Sequence, residues 1–109
     1  MSHALAANAA AYRRALTPKQ MEAQVFSRVV RALREAQGPM AVTRAVADAE
    51  RLWSAVHSSV SDPGNALPQS LRAGLASLSR AALSECTASQ PDLAFLADVT
   101  NEVAQGLWS

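Results

Sequence analysis

Apolar positions recur at three- and four-residue intervals through most of this chain. Over "ALPQSLRAGLASLSRAAL", Leu67, Leu71, Leu75, Leu78 and Ala82 fall at i, i+4, i+8, i+11 and i+15, one face of a 3.6-residue period. Over "AVTRAVADAERLWSAVHSSV", Val42, Val46, Ala49, Leu52, Trp53, Val56 and Val60 share a face, and Arg44, Asp48, Arg51, Ser54 and Ser58 share the other. Arg44 and Asp48 stand one turn apart there, the spacing of a helical ion pair. Upstream, Met21, Val25, Phe26, Val29, Val30 and Leu33 lie opposite Gln24, Ser27, Arg28, Arg31, Arg34 and Glu35. Near the end, Phe95, Leu96, Val99, Val103 and Leu107 line one side. Residues 4–16 carry a further helical pattern built mostly of alanine, with Leu5, Tyr12 and Leu16 as its larger groups. Strand-like alternation of β-branched residues is absent.

Turn residues divide these stretches. Thr17 is a good N-cap, Pro18 suits a first helical position, and Gln20 completes a capping box. Gly38-Pro39 stops that helix. Asp62-Pro63-Gly64 is turn chemistry, Asn65 is the expected cap of the next helix, and Pro68 falls in its first turn, where a missing N–H costs nothing. Pro91 falls in the first turn of the last helix, with Asp92 near its positive end. The prediction is an all-α fold: a small antiparallel helical bundle of four main helices plus a weaker N-terminal one, joined by short loops. The 109 residues form one domain, because a chain of this length buries one core and not two. Residues 1–16 are expected to fray or to order only against a partner.

Composition supports a packed body: half of the chain is hydrophobic, which argues against disorder. Charge is uneven. Residues 1–38 hold six basic and two acidic groups, a net +4, and residues 39–109 hold four basic and seven acidic groups, a net −3. A modestly basic half could meet RNA or an acidic protein, but it is no strongly basic stripe, so direct nucleic-acid binding is not expected. No apolar run reaches membrane-spanning length. The opening "MSHALAANAAAYRRAL" has no basic stretch ahead of a leucine-rich core, so a secretory leader is not expected and the cytoplasm is the default location.

Catalytic chemistry is hard to find. His57, Ser58 and Asp62 fall along one helix and the turn after it, without a Gly-flanked nucleophile or an oxyanion-hole motif. Two histidines and the single Cys86 have no metal-ligand spacing, and Cys86 reads as a small buried residue. No phosphate loop or dinucleotide fingerprint is present. The expectation is a non-enzyme with no catalytic residues, no cofactor and no metal, acting through its surfaces. Trp53 and Trp108 are the natural aromatic anchors, for the core or for a partner.

The turn signals also form an ordered set: a tyrosine near the N-terminus, then "TPKQMEAQV", "RLW", "GNALPQSLRAGLASL" and "TNEVAQGL". In order and spacing this resembles the flagellar biosynthesis regulator FlaF family, from about Tyr12 to Leu107. Asn65-x-Leu67-Pro68 with Leu71-Arg72-Ala73 and Leu78 is the most specific part, followed by Leu52-Trp53 and by Asn101 with Gly106-Leu107. The chain departs from the family pattern at Ala49-Glu50, Gln20 and Glu102. The resemblance implies a cytoplasmic protein that binds flagellin, supports its export and regulates its synthesis, alongside the regulator FlbT. Arg51 and Arg72 match basic positions of the family pattern. They are the candidate rim of a partner groove floored by Leu71, Leu75 and Trp53. Two alternatives stand beside this reading: an RNA-linked translational regulator working through the basic first half, and a helical adaptor that dimerises.

Overall fold

The computed structural model describes residues 23–108, with side chains from 24 to 105. Four helices carry this region: α1 (Ala23–Glu35), α2 (Pro39–Ser61), α3 (Gln69–Cys86) and α4 (Leu93–Trp108). No strand occurs among the described residues. The expected helix at residues 4–16 and the Thr17-Pro18-Gln20 start lie outside them.

The helices pair in an order that the loops alone do not dictate. The most extensive contacts join α2 to α3 and α1 to α4, whereas α1 meets α2, and α3 meets α4, over smaller areas. For α2 and α3 the direction follows from length. A 23-residue helix is about 35 Å long, and the seven residues between the two span at most about 25 Å. Two helices packed along their lengths across so short a link run antiparallel. The α1–α4 contact, by contrast, closes the chain's two described ends on each other.

Their apolar faces meet in one core. Phe26 and Leu33 from α1, Trp53 and Val56 from α2, and Leu96 from α4 are almost wholly enclosed, with Leu75 and Ala82 contributed by α3. Of the face predicted for α2, only Val42 stays half-exposed. Two hydroxyls sit in this core and both are satisfied. Ser79 Oγ donates to the Leu75 carbonyl at 2.7 Å, and Thr100 Oγ1 donates to the Leu96 carbonyl at 2.7 Å while accepting the Trp53 indole N–H at 3.0 Å. Buried polar atoms left unpaired are costly, so this chain from α2 to α4 fixes how Trp53 sits.

The helix ends add one role to the expected turn residues and correct two others. Gly38 is the N-cap of α2, with φ +85° and ψ 158°, a conformation essentially confined to glycine; Pro39 is therefore the first residue of α2 as well as a stop after α1. Asp92, and not Pro91, opens α4: its carboxylate accepts the Phe95 N–H at 3.0 Å, and its own N–H donates to Glu85 at 2.8 Å. Asn65 does not cap α3. Pro68 occupies the N-cap position, without a side-chain bond. Asn65 instead clasps the loop: its Nδ2 donates to the Ser59 carbonyl near the end of α2 at 2.7 Å, and its Oδ1 accepts the Leu67 N–H at 2.9 Å. Leu67 is thereby held in the core ahead of Pro68. An Asn65→Asp exchange keeps the acceptor but loses the donor to Ser59. It should cost about 1–2 kcal/mol in urea unfolding at neutral pH, whereas Gln69→Glu, on the exposed start of α3, should cost far less.

Candidate partner-binding surface

The five residues expected to form a partner groove occupy three different environments. Trp53 is 0% exposed and hydrogen-bonded to Thr100, so it belongs to the interior and offers no floor to a partner. Leu75 is also buried, at the centre of the α3 seam with Ser79 and Ala82. Leu71 and Arg72 are half-buried, and Arg51 is exposed. At 100° per residue, Leu71 and Arg72 stand on opposite flanks of the Leu75 seam. Leu71 lies on the side of Leu78, and Arg72 lies on the side of Ala76 and Leu83, all of them half-buried. The expected single groove is thus two partly covered flanks of α3 separated by a packed seam.

The two candidate arginines also differ in electrostatics. Arg51 pairs with Asp48 one turn earlier on α2, in place of the Arg44–Asp48 pair suggested by spacing. Arg72 has no ion pair among the described residues. Its Nε is closed off from solvent and has no hydrogen-bond partner. Of the described arginines it alone is not on the open surface.

The basic face of α1 is less uniform than its sequence. Arg28, Arg31 and Arg34 are all exposed, yet Arg28 donates to the Gln24 carbonyl and Arg34 is bridged at 3.0 Å to Asp98 of α4. An acid from the opposite end of the described chain interrupts the stripe that an RNA backbone would need. Trp108 and the end of α4 fall beyond the described side chains.

His57 is half-buried, Ser58 is exposed, and Asp62 spends its carboxylate on the Gly64 N–H at 2.9 Å as turn chemistry. No three His, Cys, Asp or Glu side chains among these residues come together as a metal site, and no described helix is long and apolar enough to cross a membrane. Cys86 is buried at the end of α3. Burial, then the charges of Glu50 and Glu85, push its thiol up from 9.0 to about 11. A thiol rather than a thiolate is a poor nucleophile. Alkylation by iodoacetamide should therefore be slow at pH 8 in the folded protein and fast in urea. The buried neutral thiol favours the fold fully below about pH 9, and that contribution is lost as pH rises through about 11.

Sequence reasoning did not single out Thr100 or the double role of Asn65. Thr100 was detectable in principle, as a polar residue at i+4 from Leu96 on an apolar face, but its indole partner lies 47 positions away.

Among known proteins, the family model described as flagellar protein FlaF matches residues 4–107. No curated protein and no solved structure matches.

Proposed function

This chain belongs to the FlaF family of flagellar proteins, matched over nearly its whole length, and from that premise we propose that it is a cytoplasmic flagellin-binding export chaperone that also regulates flagellin synthesis. The family match carries the reading. Its chemistry is binding without turnover. Unassembled flagellin has amphipathic terminal segments, and a small helical body with partly covered apolar flanks can take such a segment helix-in-groove and delay its polymerisation. The half-buried Leu71 and Leu78 on one side of α3, and Ala76 and Leu83 on the other, support such docking. In the regulatory branch the chain works alongside FlbT.

The test is direct. Purified chain and purified flagellin should co-elute as a complex in size-exclusion chromatography, and the chain should lengthen the lag before filament growth. Separate elution at tens of micromolar, with an unchanged lag, would remove flagellin as the partner.

A further inference from the structure

Every ionised arginine carries five N–H donors and no acceptor, so a half-buried one needs oxygen partners. Arg28 has a carbonyl, and Arg34 and Arg51 have carboxylates. Arg72 is the more enclosed group and has neither, and its Nε is the one buried side-chain nitrogen or oxygen among the described residues without a partner. Among the described residues no carboxylate lies within ion-pairing distance of it. Asp62, in the preceding loop, is bonded to Gly64, and Glu85, at the far end of α3, is bonded to the Asp92 N–H. The flank on which Arg72 lies is apolar, through Ala76 and Leu83, and can carry its methylene stem.

We propose that Arg72 is the receptor for a carboxylate on the bound protein partner, an Asp or Glu set among apolar residues that lie along the Ala76–Leu83 flank of α3. This rests on the proposed partner-binding function and adds the chemistry of the contact. Charge complementarity selects the occupant. A guanidinium presents Nε–H and a terminal N–H side by side, a fork that matches the two oxygens of one carboxylate. Because Nε makes no hydrogen bond in the free protein, turning the guanidinium outward breaks none at that atom. Arg51 does not share this role: it is exposed and already paired on its own helix.

Two measurements on the purified full-length chain test the assignment. The first is calorimetric titration with purified flagellin. Arg72→Gln should weaken binding by about tenfold or more, the scale of a hydrogen bond to a charged group. Arg72→Lys should weaken it nearly as much, because lysine has no fork. Arg80→Gln, on the exposed side of α3, should change it by less than about twofold, with helical circular dichroism unaltered in all three. Arg72→Gln binding within about twofold of the parent overturns the assignment. Parent protein that fails to bind flagellin removes the proposed function, and the receptor is then judged by the second measurement. There, the arginine Nε–H signals are followed by NMR during addition of sodium acetate against sodium chloride at equal ionic strength. The Arg72 signal, identified by its loss in Arg72→Lys, should move with acetate more than the signals of exposed Arg44 and Arg80. Equal response to the two salts overturns the assignment.

Discussion

Trp53→Ala should cost about 3–5 kcal/mol of stability, the range for deleting a large aromatic from a packed core. Trp53 has no exposed surface and lies in one core cluster to which all four helices contribute, so collapse around the void is limited. The substitution also removes the N–H donated to Thr100, a buried hydroxyl. Thr100→Val isolates that polar share. It leaves the indole N–H buried without an acceptor, at about 1–3 kcal/mol. In a Trp53→Phe background the same valine should cost much less, because the donor is already gone. Urea unfolding of the four proteins gives the coupling between the two sites. A domain of this kind has only about 5–15 kcal/mol in total, so Trp53→Ala should lie near the edge of folding at physiological temperature. A loss below about 1 kcal/mol would mean that the tryptophan is not held in the interior. Loss of flagellin binding in this variant would report unfolding, which is why the binding experiments belong to Arg72.

Phe26→Ala is the second large effect, again about 3–5 kcal/mol. Phe26 is 0% exposed and is the largest apolar group on α1 among the described side chains. Helix α1 is short, 13 residues as described, and isolated helices of that length are marginal in water, so packing must hold it. Most of that packing is against α4. Arg34→Ala removes the α1–α4 ion pair at the rim, an exposed contact worth about 0–1 kcal/mol. At about 4–8 °C per kcal/mol for a body of this size, Phe26→Ala should lower the thermal midpoint by more than about 10 °C, and Arg34→Ala by a few degrees at most. Equal shifts would mean that the rim charge, and not the apolar face, ties α1 to the rest.

Both predictions concern positions whose burial was readable from the chain alone. Phe26 and Trp53 fall on apolar faces at helical spacing, and each helix's inward side is a property of its own sequence. The breaks were readable for the same reason: Gly38-Pro39, Asp62-Pro63-Gly64 and Pro91-Asp92 act on the backbone within a few residues. Even there, exact cap positions slipped. Asn65, Pro68 and Asp92 each had several local roles open to them, and the choice depended on groups such as the Ser59 carbonyl and the Glu85 carboxylate in neighbouring helices.

What the amino-acid order determined by itself is therefore the all-helical class, the helix count in the described region, the buried stripe of each helix and, through the ordered set of turn motifs, the family. Tertiary structure alone decided which helices pair, that Trp53 is bound to Thr100 and withdrawn from any partner, and that Leu71 and Arg72 fall on opposite flanks of a packed seam. It also decided that Arg72, alone among the described arginines, is half-buried with its Nε unpaired. The division is physical. Periodicity, capping and turn propensity act over one to four residues, so they are written in the local order of the chain. Burial against a second helix, and the pairing of one side chain with another 47 or 64 positions away, arise only once the apolar stripes have been brought together.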